Sequence, residues 1–143
     1  MDVTASLEAP CDPAVLFAWV DDLSRYVEWT DVVHSATVDA DASTWRVELR
    51  ARVGPFARSK QLRMVRTLHD TVRHVVEFER RELDGKRHAP WILRAEVDGA
   101  GAAATLRMHL HYGGSLWTGG VLERALAEQI TSGRERLAAL VSR

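Results

Sequence analysis

Hydrophobic positions recur with two different periods along this chain, and the change of period divides it. Residues 2–9 alternate, with Val3, Ala5 and Leu7 on one side, and read as a first strand. Over 44–53, Trp45, Val47, Leu49, Ala51 and Val53 oppose Arg46, Glu48, Arg50 and Arg52. A period of two with one charged side predicts a sheet with one wet face and one dry face. Gly54-Pro55 turns the chain into 57–68, whose dry side carries Leu62, Met64 and Leu68, with Arg66 among them. His69-Asp70-Thr71 leads into 72–82, with Val72, His74, Val76 and Phe78 in phase. Asp84-Gly85 is a hairpin signal before 89–98, which places Trp91, Leu93, Ala95 and Val97 together. After Asp98-Gly99, residues 103–112 set Leu106, Met108, Leu110 and Tyr112 against Thr105, Arg107, His109 and His111.

The last quarter changes period. Leu122, Leu126, Ile130, Leu137 and Val141 recur at three, four or seven residues, which predicts an amphipathic helix of about 25 residues, about 38 Å long. Near the start, Asp12 before Pro13 is an N-cap with proline at the first helical position. A short helix over 13–21 then buries Val15, Leu16, Trp19 and Val20, and Asp22 with Ser24 caps a brief second turn carrying Tyr26 and Trp29. The order predicts an α+β domain spanning 1–143: a curved antiparallel sheet of six to seven strands, two short helices after strand 1, and one long C-terminal helix. A sheet with one apolar face must be covered, and only the terminal helix is long enough to cover it.

Composition narrows the class. An apolar content of 46% with 27% charged residues is ordinary for a globular protein, and a net charge of −1 gives no field that would draw nucleic acid or an anionic membrane. The charged strand residues mix signs, and Arg58, Lys60, Arg63 and Arg66 do not stay on one face, so no nucleic-acid partner is expected. The single cysteine, Cys11, excludes an internal disulfide and suits a cytoplasmic location. No apolar run of about 18 residues suggests a transmembrane segment.

With the elements in this order, the chain resembles the START-like (SRPBCC) superfamily, and within it the polyketide cyclase/dehydrase-like branch. The residues that carry the likeness are the N-terminal stretch ASLEAPCDPAVLFAWVDDLSRYVEW, with Pro10, Val15 to Phe17, Asp22, Tyr26 and Trp29, and HYGGSL over 111–116 leading into the long helix. The resemblance implies a helix-grip fold, with the sheet wrapped around the terminal helix and a cavity between them. It implies that the segment over 17–31 grips the mouth of that cavity, with Tyr26 and Trp29 as rings at its rim. It does not imply one chemistry, because the superfamily includes lipid and sterol carriers, quinone binders and aromatic cyclases.

If the in-phase positions face such a cavity, its lining is mainly apolar: Tyr26, Trp29, Val47, Leu49, Leu62, Met64, Val76, Phe78, Trp91, Leu93, Met108, Leu110, Leu122, Leu126 and Ile130. Arg66, His74, Arg80 and Tyr112 fall on the same dry phase and are the polar exceptions; a buried charge there needs a partner, water or a ligand. A one-residue bulge would reverse their phase. His109 and His111 share one face of a strand, but on the wet side and without Cys, Asp or Glu in strand phase beside them, so no metal is expected. Gly113-Gly114 and Gly119-Gly120 match no phosphate-cradle pattern, no G-x-S-x-G elbow exists, and Cys11 lacks a base. No cofactor is expected.

Three readings follow. In the first, the domain, as a monomer or homodimer, binds a hydrophobic or aromatic small molecule, such as a lipid, polyketide or quinone-like compound. In the second it is a cyclase or dehydratase, with His74 or Tyr112 as acid/base and Arg66 or Arg80 polarising an enolate oxygen. In the third a protein partner docks on the aromatic rim or sheet edge and the cavity is vestigial.

Overall fold

A computed structural model describes residues 1–53, 55–113 and 121–142, with the backbone alone at 52, 53, 56 and 121–126. Seven strands form one antiparallel sheet: β1 (Asp2–Ala9), β2 (Val33–Val38), β3 (Thr44–Val53), β4 (Phe56–Asp70), β5 (Val75–Arg80), β6 (Trp91–Ala100) and β7 (Ala103–Tyr112). The spatial order is β1-β7-β6-β5-β4-β3-β2, so β1 crosses to the far edge while the other strands follow one another as hairpins. The sheet curls into a half-barrel, and the helix α2 (Val121–Val141) touches it at β1 and β3. At 1.5 Å per residue its 21 residues span about 32 Å.

Between β1 and β2 lie α1 (Pro13–Phe17) and a 3-10 helix over Leu23–Glu28. Asp12 caps α1, its carboxylate accepting from the Ala14 N–H at 2.8 Å, and Asp22 does the same for Ser24 at 2.9 Å. α1 is shorter than the 13–21 expected from the sequence: it ends at Phe17, Val15 is 46% exposed, and Trp19 is only partly buried. Its buried face carries Leu16 and Phe17 and packs against β6 and β7.

Three strand assignments change. The sequence pattern predicts no strand where β2 lies. A bulge between Val33 and Ser35 sets Val33 and Ala36 three apart on the packed side, which removes the alternation that marks a strand. β4 carries a second bulge between Arg66 and Leu68. It turns Leu68 outward, 40% exposed, although the phase of Leu62 and Met64 assigned it to the dry side. β5 begins at Val75 instead of 72. The Asp70 carboxylate accepts from the Val72 and Arg73 N–H groups at 3.0 and 2.9 Å and holds a turn that leaves Val72 88% exposed. His74 closes that turn in the left-handed region, φ 57°, and its carbonyl accepts from Val97.

The core has a solid part and a hollow part. Leu16, Val20, Trp45, Val76, Phe78 and Val97 are almost fully buried and form the solid part. Trp45 donates to Ser24 Oγ at 3.0 Å and meets Phe78 edge-on at 5.5 Å, which fixes the 3-10 segment against β3 and β5.

Candidate functional site

The hollow part begins with a period of three. In a 3-10 helix residues i and i+3 eclipse, so Leu23, Tyr26 and Trp29 fall on one face. That face looks across a cavity of about 170 Å³ toward the inner face of the sheet. Leu62 and Met64 from β4 and Val47, Leu49 and Ala51 from β3 form one wall, and Trp91, Leu93, Met108 and Leu110 from β6 and β7 form another. Val3, Thr30, Val32, Val33, Gln129 and Ile130 complete the lining. A smaller cavity of about 60 Å³, bounded by Ala5, Leu7, Leu106 and Leu137, shares Trp29, Met108 and Ile130 with it.

The polar atoms of this lining are mostly tied to the chain itself. Tyr26 is 3% exposed and its hydroxyl donates to the Val20 carbonyl at 2.8 Å, while burial pushes its ionisation well above the usual phenol range. The Trp29 indole N–H donates to the Trp19 carbonyl at 3.2 Å, and Gln129 accepts from the Asp31 N–H at 3.3 Å. Trp29 packs on α2 because residue 133 is glycine: a Cβ there would stand 3.1 Å from the Trp29 carbonyl and 3.4 Å from its ring. Tyr26 and Trp29 are thus buried walls and not rings at an exposed rim. Trp19 takes the outer position, with the Arg25 guanidinium 3.8 Å above its ring.

Of the residues the sequence pattern assigns to a lining, Tyr26, Trp29, Val47, Leu49, Leu62, Met64, Trp91, Leu93, Met108, Leu110 and Ile130 come together around this cavity. Val76 and Phe78 do not: both are fully buried in the solid core, where Phe78 meets Tyr26 and Trp45 edge-on. The side chains of Leu122 and Leu126, like Gly114, Gly119 and Gly120, lie outside the described residues.

The four polar candidates separate. Arg66 does not line the cavity: it donates to the Asp21 carbonyl at 2.9 Å and lies 5.3 Å from the Trp45 ring, joining β4 to the segment after α1. His74 lies against Phe17 at the α1 end, the ring centroids 5.1 Å apart and the planes tilted by 40°. Arg80 lies opposite Met64 in the β4–β5 register, its side chain 9% exposed, and Tyr112 lies opposite Trp91 with the rings 5.3 Å apart. These two adjoin lining residues in the sheet register, whereas Arg66 and His74 are not among the lining residues.

On the wet face the sequence expectation of no carboxylate beside His109 and His111 is corrected. The β1–β7 register places Asp2 opposite His111, and one Asp2 oxygen lies 3.0 Å from His111 Nδ1 and 2.9 Å from His109 Nε2. The bonds from His111 and then His109 hold the Asp2 carboxyl below its ordinary value. No three His, Cys, Asp or Glu among the described residues are disposed to hold a metal ion. Burial raises the Cys11 thiol above its ordinary value. Among the described residues no helix is long and apolar enough to cross a membrane.

Sequence reasoning left out Val3, Leu23, Thr30, Val32, Val33, Ala51, Gln129 and Gly133. Ala51 and Val3 were in phase but small. Leu23 had a signal in its three-residue spacing from Tyr26, and Gly133 had one as an isolated glycine inside a helical pattern.

Comparison with known proteins agrees with this architecture over its whole length. A family model described as "Polyketide cyclase / dehydrase and lipid transport" matches residues 1–142. A search of curated proteins finds no match. Among solved structures, a START superfamily protein from Mycobacterium smegmatis superposes with a TM-score of 0.72 at 13% identity, covering 99% of this chain and 97% of that one. The Zhui aromatase/cyclase from Streptomyces sp. R1128 gives 0.66 at 11% identity, covering 100% and 94%. The protein TTHA0849 from Thermus thermophilus gives 0.62 at 16% identity, covering 98% and 92%. At these identities the structures share the fold.

Proposed function

Because the chain belongs to the polyketide cyclase / dehydrase and lipid transport family, whose START-like fold fits a hydrophobic-ligand or cyclase-like role, we propose that it is a binding module for a compact, mainly apolar ring compound. The observation that carries this reading is the apolar cavity between the sheet, the 3-10 helix and α2. Its volume of about 170 Å³ resembles the apolar cavity of about 150 Å³ that accepts benzene. It is smaller than the clefts of about 300–1,000 Å³ that take drug-sized ligands. Burial of ligand surface would drive association, at about 25 cal/mol per Å² before ordering costs.

Acid–base catalysis has less support. Tyr26 is the only ionisable group among the described lining residues, and its burial keeps it protonated. Arg80 and Tyr112, which adjoin lining residues in the sheet register, keep the cyclase reading open to test: turnover of a poly-β-carbonyl substrate that disappears in Arg80→Ala while binding persists would establish it. The binding reading is tested by native mass spectrometry of gently purified protein, with a thermal-shift screen of single-ring and lipid compounds. It expects a bound apolar molecule or a rise in Tm with small ring compounds; no response to any of them contradicts it.

A further inference from the structure

Two spaces in the structure share a wall. The apolar cavity and an outer groove of about 550 Å³ are both lined by Val33, Ala51 and Gln129. Outside that wall the groove is polar, with Asp31, His34, Arg50 and Glu128. The wall is slight. Ala51 offers it a methyl group, and the half-buried Gln129 is held by one bond, its Oε1 accepting from the Asp31 N–H at 3.3 Å. Other sides of the cavity are backed by the hydrogen-bonded sheet and by the 3-10 helix, whose Tyr26 and Trp29 are anchored on backbone carbonyls.

The polar contacts of α2 gather at the same seam. Among the described residues, α2 makes three hydrogen bonds to the rest of the chain, and all three end between residues 28 and 31. Besides the Gln129 bond, the Arg136 guanidinium donates to the Asp31 carboxylate at 2.7 Å and to the Glu28 carbonyl at 3.0 Å. α2 also meets β1, with no hydrogen bond to it among the described residues. The segment that Arg136 grips belongs to the sheet side: the Val32 carbonyl accepts from the Arg50 N–H at 2.8 Å, and Val33 pairs with Leu49. That segment supplies Thr30, Val32 and Val33 to the lining, whereas neither Asp31 nor Arg136 lines the cavity. Both side chains of the pair reach water, Asp31 69% and Arg136 38% exposed. An ion pair in water is weak and is screened by salt, so this seam parts at small cost.

Resting on the reading of the cavity as a ligand site, we infer that the Arg136–Asp31 pair is a latch on its entrance. Ligands pass from the groove between α2 and the 30–33 segment, by way of Gln129 and Ala51, and the latch sets the rate of exchange without touching the bound molecule.

The test follows cumene binding to the full chain by NMR line shapes, which give association and dissociation rates. Arg136→Met and Asp31→Ala are each expected to raise both rates together, about two- to fivefold, as loss of an exposed ion pair allows. Kd holds, because the pair is made with and without ligand. Raising salt from about 0.01 M to about 1 M shortens the screening length from about 30 Å to about 3 Å; it is expected to speed exchange in the natural chain and to add nothing in Arg136→Met. Arg134, an exposed arginine of α2 in a groove on the β1 side, serves as the control, and Arg134→Met is expected to exchange like the natural chain. Unchanged rates in either latch variant, a salt effect that persists in Arg136→Met, or faster exchange in Arg134→Met overturns the inference and leaves the binding reading standing. A change in the dissociation rate alone makes the pair part of the affinity and overturns the latch as well. No binding of cumene to the natural chain overturns both.

Discussion

Tyr26 and Trp29 direct their polar atoms into the chain and their ring faces into the cavity, and each division of labour has a measurable consequence. Tyr26→Phe leaves the Val20 carbonyl without its buried partner and is expected to lower unfolding free energy by about 1–2 kcal/mol. Affinity for an apolar ring should hold, because the cavity surface does not change; denaturant melts and a cumene titration check the two halves. Trp29 borders both cavities, so Trp29→Ala is expected to cost about 3–5 kcal/mol and to admit ligands larger than a single ring, as a thermal-shift series of increasing ring size would record. At this scale the sequence was legible where the period was regular, as for Val47, Leu49, Met64 and Leu110. It was misleading between 13 and 31, where a helix over 13–21 was expected to bury Trp19 and to leave Tyr26 and Trp29 at a rim: α1 ends at Phe17, Trp19 is only partly buried, and the three-residue period of the 3-10 helix buries Tyr26 and Trp29.

The elements are held together by a few polar fixings that hydrophobic patterning does not register. The bulge in β4 turns Leu68 out, and the next residue, His69, reaches Asp21 at 2.9 Å, so β4 grips the segment after α1 twice, through His69 and Arg66. The turn before β5 depends on Asp70, whose carboxyl is held below its ordinary value of 3.8 mainly by the Arg73 N–H. A carboxyl lowered by folding contributes stability that is present above its unfolded value and lost as pH falls through the folded one. Asp41, lowered by the Ser43 N–H, has the same sign. Unfolding free energy is therefore expected to fall between about pH 5 and pH 2, and Asp70→Asn to reduce that dependence; denaturation at pH 6 and pH 3 measures both. In α2, Gly133 gives Trp29 its place. Gly133→Leu is expected to displace the indole and destabilise the domain by more than about 2 kcal/mol, with a lower denaturation midpoint as the readout. These fixings were hidden because a bulge, a side-chain-capped turn and a close approach at glycine each depend on partners distant in sequence. β1, β3 and β7 match the limits predicted from their alternation, whereas β6, also without a bulge, runs Trp91–Ala100 where 89–98 was expected.

At the scale of the molecule, alternating strands followed by one long amphipathic helix were sufficient to predict a sheet clasping a helix, and the family match and the superpositions agree with that architecture. The division of the interior into a packed half and a hollow half was not legible. Val76 and Phe78 have the same alternation as Leu93 and Leu110, and only the position of α1, Trp45 and the 3-10 helix decides which pair meets other side chains and which borders the cavity. Ala51 allows the binding of a ligand in the hollow half to be tested with one pair of titrations. Ala51 is a small, buried lining residue on β3, so Ala51→Phe should fill the cavity from its wall. Calorimetric titration with cumene is predicted to show saturable one-to-one binding to the natural chain and none to a folded Ala51→Phe variant. Absence of binding to the natural chain, or equal binding to both, would rule out a ligand in the hollow half.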